Sequence, residues 1–307
     1  MSLLSAILAL VIEQIRPLAV RTWVSGPLGR FATILEGQFN DGQYRHGRLA
    51  WLLAVAAPCL FVFAADLTLW HGGYPLLSFL LGVLSLYLTM GFRQFSHFYT
   101  ELQLALRMGE IDQARRLLSE WRGQSGDRLN TGEISRLAIE QALVASHRHV
   151  FAPLFWFAVI GPAGAVMYRL AMFFDEQWGQ RLDPDFGRFG EFARKAFDWI
   201  DWLPVRVSAV GFAIVGDFED AVMCWRTQAA RWGNPSVGIL LASGAGAIGV
   251  RLGMPIHDSV GLGDRPELGI GDDADPDFMQ STVGLVWRTL VLGLLLLALF
   301  WVASWVS

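Results

Sequence analysis

Long apolar runs with almost no charge are the feature that most constrains how this chain folds. Thr289 to Val306 and Tyr74 to Phe92 carry no charged residue, and Leu49 to Leu69 carries only Asp66. A helix that crosses a bilayer needs about 20 mainly apolar residues, so each run predicts a transmembrane helix. Because only the tight connection Trp70-His71-Gly72-Gly73 separates two of these runs, they predict a helical hairpin.

The composition favours the same class of protein. Apolar residues make up 53% of the 307 residues and charged residues only 17%, whereas a soluble domain usually carries about 25% charge. We therefore predict an all-α fold, a polytopic transmembrane helical bundle of four to six membrane segments with a helical cytoplasmic insertion. The small net charge of −4, without a basic block, predicts no nucleic-acid partner. Cys59 and Cys224 fit neither a disulfide framework nor a zinc site.

Other apolar segments are broken, short or charged. Phe151 to Phe174 is long enough to cross a membrane but contains Arg169, and Leu203 to Gly216 contains Pro204. Proline inside a helix removes a backbone donor and can break the helix. Irregular backbone at membrane depth must be shielded by protein. We therefore expect re-entrant or buried half-helices at Leu203 to Gly216 and at the glycine- and alanine-rich Val237 to Val250.

These runs divide the chain into five segments along the sequence. They are an N-terminal membrane-associated helix and basic loop (1–48), a transmembrane hairpin (49–92), a cytoplasmic helical region (93–149), a core with broken membrane segments (150–288) and a C-terminal transmembrane helix (289–307). Arginines are frequent in the first and third segments and absent from the hairpin tip, so the positive-inside rule predicts that residues 93–149 are cytoplasmic. Within them, Asn130 followed by Glu133 predicts a capping box at the start of a helix.

One motif matches a dinucleotide-binding fingerprint. Gly244-Ala245-Gly246-Ala247-Ile248-Gly249 fits the pattern G-x-G-x-x-G, which binds dinucleotides only between a strand and a helix. Here Pro255 follows within a few residues and the flanks are apolar. Small residues at this density favour close packing of helices instead.

Charged groups in or beside apolar segments are the candidate functional residues, because a charge in lipid is costly and usually serves a purpose. Arg169 and Arg206 lie within broken segments, and Asp198 and Asp201 share a helix face at i and i+3. Two carboxylates on one face suit a magnesium ion, so Asp198 and Asp201 form a candidate metal pair. The alternatives for this pair are solvated interfacial residues or a partner for Arg206.

Two further polar stretches favour structural interpretations. His147 and His149, at i and i+2, do not face each other on a helix, which favours a polar cluster at the membrane surface over a metal pair. The acidic stretch Gly261 to Asp277 lacks the glycine and closing glutamate of a calcium loop, which favours a solvated loop.

Several blocks of the sequence resemble the CobD/CbiB family of polytopic membrane proteins. They are Ala152–Trp156, Gly161–Arg169, Phe197–Arg206, Asn234–Gly238, Gly244–Gly253 and Arg265–Gly269. The resemblance implies a role in cobalamin synthesis, because enzymes of this family attach an aminopropanol arm to a corrinoid carboxylate through an amide bond. AmpE, a second branch linked to β-lactamase induction, is similar over the same blocks and also at Leu3–Glu13.

The polar motifs depart from the enzyme pattern, whereas the apolar scaffold is kept. The enzymes' Glu-Asn-x-x-Asp-Gly is replaced by Val144–His149, their Asn-Thr-Leu-Asp by Met172–Asp175, their Leu-Asp-Asp by Phe197–Trp199 and their Ser-Pro-Asn-Ala-Gly by Asn234–Gly238. Amide formation needs an activated carboxylate and stabilisation of developing charge. We therefore expect an AmpE-like protein of the bacterial inner membrane, with a signalling or cell-envelope role and altered or lost catalysis.

Two alternatives stay open at this point. One is an active enzyme of the adenosylcobinamide-phosphate synthase type, with magnesium as its cofactor; the other is a binder or transporter of an amphiphile. The expected partners are the lipid bilayer and a corrinoid or other amphiphilic ligand, and the oligomeric state is open. No catalytic residue is assigned, and the candidate residues lining a ligand site are Arg169, Asp175, Asp198, Asp201, Arg206, Asn234 and Ser236.

Overall fold

Helices dominate the structure. The computed structural model describes residues 2–16, 25–124, 126–181, 183, 186–258, 261–262 and 265–306. Within these residues the chain is mainly helical with two small sheets, so the predicted all-α class is confirmed. The helices are α1 (Ser2–Ile15), α2 (Gly26–Phe39), α3 (Tyr44–Trp51), α4 (Ala57–His71), α5 (Pro75–Thr89), α6 (Phe92–Arg107), α7 (Ile111–Arg122), α8 (Thr131–Ser146), α9 (Ala152–Ile160), α10 (Pro162–Phe174), α11 (Glu191–Val215), α12 (Phe218–Gln228), α13 (Pro235–Ile248) and α14 (Pro276–Val306).

Short π-helical turns and strands complete the fold. The π-helical turns are Leu52–Ala56 between α3 and α4, His147–Phe151 between α8 and α9, and Asp175–Gly179 after α10. The strands are β1 (Val250–Gly253), β2 (His257–Asp258), β3 (Gly261–Leu262), β4 (Glu267–Gly269) and β5 (Asp272–Asp273). One sheet has the order β4-β1-β5, with β1 antiparallel to β4 and parallel to β5, and β2 pairs with β3 in the other.

Three of the described helices are long and apolar enough to cross a membrane, namely Tyr44–His71, Thr131–Ile160 and Pro276–Phe300. Shorter apolar helices are Leu3–Ile15, Pro75–Thr89 and Pro235–Ile248. The predicted transmembrane helices at Leu49 to Leu69 and near the C-terminus are confirmed. The predicted second arm of the hairpin is a shorter helix than expected, because α5 ends at Thr89 and Met90 has extended backbone.

The predicted span from Phe151 to Phe174 is wrong. The helix ends at Ile160, and Gly161 adopts φ 74° and ψ −153°, a conformation that favours glycine. Pro162 then starts α10, where its missing N–H costs nothing because the first turn of a helix has no internal acceptor for it. The long apolar helix instead combines α8 and α9, because the π-helical turn His147–Phe151 joins them without a break.

Pro204 does not break its helix, so the half-helix expected at Leu203 to Gly216 is also wrong. α11 continues through Pro204 from Glu191 to Val215. A proline leaves the carbonyl four residues earlier without its helical donor. Here that carbonyl belongs to Ile200, and it accepts a hydrogen bond of 3.2 Å from Nε1 of Trp156. The indole therefore supplies the donor that Pro204 lacks.

The chain folds as two compact units, and each consists of two stretches of sequence. The first unit comprises Met1–Gly91 and His149–Pro204, and the second comprises Phe92–Arg148 and Val205–Ser307. In the first unit, Phe174, Trp178 and Phe189 pack in the apolar core, with ring centroids 4.4 Å and 5.3 Å apart along this series. A Cβ at Gly47 would overlap the carbonyl oxygen of Phe189, so α3 approaches the backbone of Phe189 this closely only because residue 47 is glycine.

The second unit contains the glycine-rich motif inside α13, where the helix is buried among its neighbours. A Cβ at Gly244 would lie 2.7 Å from Leu143, and one at Gly246 would lie 2.5 Å from the carbonyl oxygen of Asp220. The interpretation as close helix packing is confirmed, because both glycines lie inside α13 and leave no room for a side chain. Asn130 and Glu133 form the predicted capping box at the start of α8.

The acidic stretch Gly261 to Asp277 is more ordered than the solvated loop that was predicted. It contains β3, β4, β5 and the first residues of α14, while Gly263 and Asp264 lie outside the described residues. Backbone pairing with β1 orders the stretch, since Arg251, Leu252 and Gly253 lie opposite Gly269, Leu268 and Glu267.

Candidate functional site

A buried carboxylate and a buried phenol meet in the first unit. Tyr168 on α10 is fully buried, Asp201 on α11 is 5% exposed, and Oη of Tyr168 donates a hydrogen bond of 2.9 Å to Oδ1 of Asp201. The apolar contacts of Tyr168 with Phe197 position this phenol. A hydrogen bond from a neutral donor favours the charged form of a carboxylate.

Arg169, the next residue on α10, bonds to a histidine. Its Nη1 lies 2.9 Å from Nδ1 of His149. Because a guanidinium only donates, Nδ1 must accept, which assigns the neutral imidazole with its proton on Nε2. In the second unit, His147 is fully buried, and its Nδ1 lies 2.9 Å from Oγ of Ser208. The expected surface cluster of histidines is therefore wrong, because His147 points into the protein interior.

Asp175 is the third candidate of the first unit. It is 5% exposed, and its Oδ2 accepts a hydrogen bond of 3.1 Å from Nε2 of Gln180. A Cβ at Gly179 would collide with the other carboxylate oxygen, so the glycine leaves room for this side chain. The π-helical turn after α10 thus buries one carboxylate next to Gly179 and Gln180.

The candidate metal pair consists of two unlike carboxylates. Asp201 is buried against Tyr168, whereas Asp198 is exposed. Desolvation raises the pKa of Asp198, nearby Arg194 opposes this rise, and the charge of Asp201 adds to it. Among the described residues, no group of three or more histidine, cysteine, aspartate or glutamate side chains is placed to hold a metal ion. A magnesium site at this pair stays a prediction.

The remaining predicted site residues belong to the second unit. Arg206 on α11 is half-buried. Asn234 caps α13, because its Oδ1 accepts a hydrogen bond of 3.1 Å from the backbone N–H of Val237. Ser236 lies half-buried in the first turn of the same helix. The structure thus gives Asn234 a local structural role.

A buried ionic cluster in the second unit was missed by the sequence predictions. Glu140 on α8 is 7% exposed and forms a salt bridge with Nη2 of Arg265. Its other oxygen, Oε1, accepts a hydrogen bond of 2.9 Å from the backbone N–H of Gly253. One turn earlier on α8, Nη1 of Arg136 donates to the carbonyl oxygen of Gly253 at 2.9 Å. Both backbone groups of Gly253 are therefore held by charged side chains of one helix.

The cluster is closed by an aromatic ring and a strained turn. The guanidinium of Arg265 lies over the ring of Trp232, 5.0 Å from its centroid. Gly253 has φ 70°, and a Cβ there would collide with the carbonyl oxygen of Pro266. Met254 follows with φ 62°, and it is the only non-glycine residue with positive φ in the described part of the chain. Such strain persists only where the surroundings hold it.

One signal in the sequence pointed to this cluster. Arg136 and Glu140, at i and i+4, are the charged residues of the largely apolar run from Ile134 to Val144. A charge pair inside a largely apolar helix is a candidate functional feature. The sequence does not show its partner, because Arg265 is more than 100 residues away.

These features define a helical membrane protein with buried polar side chains in each of its two units. The family model described as CobD/Cbib protein matches residues 6–286. The chain therefore belongs to the CobD/CbiB family, as its sequence blocks predicted.

Similar curated proteins carry one name. The chain is 34% identical over 298 residues, 96% of each chain, to "Cobalamin biosynthesis protein CobD" of Stutzerimonas stutzeri (strain A1501). It is 34% identical over 238 residues to the protein of that name from Chromobacterium violaceum, covering 77% of this chain and 76% of the relative. No solved structure gives a significant match.

These relatives overturn the expected AmpE-like signalling or cell-envelope role. Full-length similarity joins the chain to proteins named for cobalamin biosynthesis, which favours the enzyme alternative. The error came from weighing replaced polar motifs above the retained scaffold. The structure has buried carboxylates at positions outside those motifs, at Glu140 and Asp201.

Proposed function

We propose that this protein acts in cobalamin biosynthesis and joins an aminopropanol arm to a corrinoid carboxylate through an amide bond. The observation that carries the proposal is the 34% identity over 96% of both chains to a cobalamin biosynthesis protein CobD. A similarity that covers both chains from end to end supports a shared activity better than a few matching motifs would.

The proposed reaction needs three things from the protein. The carboxylate must be activated, for which a nucleoside triphosphate is the proposed co-reactant, and the amine must lose a proton as its nitrogen attacks the carbonyl carbon. The negative charge that develops on the carbonyl oxygen must be stabilised. The activating group then leaves with the bonding electrons, and the amide forms.

The polar groups of the first unit suit two of these tasks. Asp201 is a buried carboxylate held by a neutral phenol, and it is our candidate to accept the proton from the amine. Arg169 is our candidate to stabilise the oxyanion, because His149 orients its guanidinium while remaining neutral. Asp175 in the first unit stays a candidate ligand-site residue, and so does Ser236 in the second unit.

Magnesium is the proposed cofactor, carried with the triphosphate. Magnesium usually binds through one or two carboxylates together with substrate phosphates, so within the predicted pair Asp198 and Asp201 the exposed Asp198 would hold the ion with the triphosphate while Asp201 acts as the base. Their different burial indicates that Asp198, on the exposed side, would be the residue that reaches the ion first.

The proposed location is the bacterial inner membrane with residues 93–130 on the cytoplasmic side. The predicted cytoplasmic region 93–149 is shortened because the candidate span Thr131–Ile160 begins within it. The three long apolar helices and the arginines between residues 93 and 130 support this orientation. Reporter fusions within 93–130 and at Ser307 test the orientation, and a periplasmic signal within 93–130 would contradict it.

The activity is tested with full-length protein in lipid nanodiscs, supplied with a corrinoid acid, 1-amino-2-propanol or its phosphate, magnesium and a nucleoside triphosphate. Mass spectrometry should detect the amide product, and chelation of magnesium should abolish it. Asp201→Asn should lower kcat by about 100-fold or more, as for loss of a general base. Asp183→Asn, an exposed aspartate of the same unit, is the matched control and should retain activity. The proposal would be overturned if no amide product formed with 1-amino-2-propanol and none formed with its phosphate.

A further inference from the structure

The ionic cluster of the second unit has more positive than negative charge. Its members Arg136, Arg265 and Glu140 carry two positive charges and one negative charge. Arg265 has only 18% of its side chain exposed, and Glu140 has 9%. Arg136 is half-buried, whereas Arg265 and Glu140 are mostly buried, so the extra positive charge is only partly in contact with water and an added negative charge would stabilise it.

Arg265 has an unused donor. Nη2 is bound to Glu140 and the guanidinium plane lies on Trp232, but Nη1 is buried and has no hydrogen-bond partner among the residues that the structure describes. Buried polar groups in native proteins nearly always have partners, so the free Nη1 calls for an acceptor beyond the described residues, such as a ligand or a water molecule. An acceptor that carries negative charge would satisfy both the free donor and the excess charge.

The guanidinium is held in one orientation from three sides. Glu140 holds one nitrogen, Trp232 holds the face, and the pairing of β1 with β4 fixes the backbone beside it. Arg136 is anchored to the carbonyl oxygen of Gly253, and Glu140 to the N–H of the same residue. A fork of donors held this rigidly matches the paired oxygens of a carboxylate or phosphate, because little side-chain entropy is lost on binding.

We infer that Arg265, assisted by Arg136, forms a binding site for a substrate oxyanion in the second unit, and that Glu140 is a positioning residue for this site. The chemical class of the ligand is a phosphate monoester or a carboxylate. The identity of the ligand rests on the proposed function, which provides one source of each kind: a phosphorylated aminopropanol donor and the corrinoid acid. The existence of the site does not depend on that function.

Binding is measured by isothermal titration calorimetry on full-length protein in nanodiscs with four probes: inorganic phosphate, 1-amino-2-propanol phosphate, 1-amino-2-propanol and cobyric acid. If the phosphate is the ligand, Arg265→Gln should weaken binding of the first two probes at least tenfold and leave the unphosphorylated amine unchanged. If the carboxylate is the ligand, only cobyric acid should lose affinity. Equal affinities of wild type and Arg265→Gln for all four probes would overturn the site.

Arg226→Gln is the matched control, because it removes the same charge from an exposed position on α12 of the same unit. Arg265→Lys covers the case in which Arg265→Gln does not fold. It keeps the charge but loses the planar fork, so affinity should still fall, and retention of wild-type affinity would contradict recognition by a fork.

Glu140→Gln tests the positioning role, because two explanations of anion binding predict opposite changes in affinity. Removing the negative charge makes the cluster more positive, so a site that works by charge alone would bind the anion more tightly. A site that depends on the orientation of Arg265 should bind it more weakly, which is the result we expect. Tighter binding would overturn the role of Glu140.

The experiments can contradict the binding site and the proposed function independently of each other. If no amide product forms but Arg265→Gln still abolishes anion binding, the site stands and the function falls. If product forms and Arg265→Gln leaves KM for both the donor and the corrinoid unchanged, the function stands and the site falls.

Discussion

The two units bury their charged groups by different means. In the first unit, Asp201 is held by the neutral phenol of Tyr168, and Arg169 bonds to the neutral imidazole of His149. In the second unit, the carboxylate of Glu140 lies directly against the cation Arg265. A charged group that bonds to a neutral one can still interact strongly with a reactant. In an ion pair the two opposite charges partly offset each other and stabilise the fold.

We infer from this difference that the two clusters have different functions. In the first unit, Asp201 and Arg169 each bond to a neutral side chain, and the negative charge of Glu176 also acts on Arg169, so we assign this cluster to proton transfer and charge stabilisation. The ion pair of the second unit holds the Gly253 backbone and sets one arginine in a fixed orientation, which suits recognition of an anion. We therefore expect substitutions in the first cluster to affect chiefly kcat, and those in the second to affect chiefly stability and KM.

The comparison is tested most strongly by Glu140→Ala. The substitution leaves Arg265 buried without its counter-ion and removes the acceptor for the N–H of Gly253, so the free energy of unfolding should fall by about 3–5 kcal/mol. Chemical denaturation of the full-length protein in detergent measures it. The exposed Glu219→Ala in the same unit should stay within about 0.5 kcal/mol of wild type. A loss below about 1 kcal/mol for Glu140→Ala would show that the pair is not structural.

Tyr168→Phe should lower the free energy of unfolding by less than Glu140→Ala does. It removes one hydrogen bond to a charged acceptor but leaves no unpaired cation, so we expect a loss of about 1.5–3 kcal/mol. A double-mutant cycle with Asp201→Asn measures the coupling between the two side chains. If Tyr168→Phe destabilised the protein more than Glu140→Ala, the contrast between a neutral partner and an ion pair would be wrong.

Backbone packing in the first unit provides a third test, which involves no charge. Gly47→Ala forces a methyl group onto the carbonyl oxygen of Phe189 and should destabilise the protein by about 1–3 kcal/mol. Gly37→Ala adds the same methyl inside α2, where no other atom lies within 4 Å. It should stabilise the helix by about 0.5–1 kcal/mol. Thermal unfolding measures the stability of both variants. A stability change of the same sign in Gly47→Ala and Gly37→Ala would contradict the close approach of α3 to Phe189.

The smallest expected effect concerns an exposed ion pair of the first unit. Hydrogen bonds from Arg188 and then Lys195 lower the pKa of Glu191 from 4.5 to about 2. A carboxylate whose pKa is lowered in the folded state stabilises the protein above its ordinary pKa, and this contribution is lost as the pH falls toward the lowered value. The thermal midpoint should therefore fall between pH 4.5 and 2, by less in Glu191→Gln than in wild type. An identical fall in both proteins would show that the pairs with Arg188 and Lys195 contribute nothing measurable.

Particular elements show where prediction from the sequence succeeded. The long uncharged runs gave the correct class of protein, because a hydrophobic stretch of that length has few stable states other than a membrane helix. The capping box at Asn130 and the helix-packing role of Gly244 and Gly246 were also predicted correctly. Each of these depends on neighbours within one or two helical turns or on residue size alone.

Other predictions failed because distant residues decided the outcome. Pro204 was expected to break its helix, but Nε1 of Trp156, 48 positions earlier in the sequence, supplies a donor to the carbonyl of Ile200. The span expected from Phe151 to Phe174 ended at Gly161, because apolar composition does not reveal a backbone reversal.

What the sequence by itself determined is the class, two of the three long apolar helices and the family, since these follow from hydrophobic length and from ordered blocks of residues. What only the tertiary structure decided is which charges meet. Glu140 and Arg265 lie 125 positions apart, and Tyr168 and Asp201 lie 33 apart. Such pairs form because a buried charge must find a partner wherever the packing places one, and no local pattern in the chain records that choice.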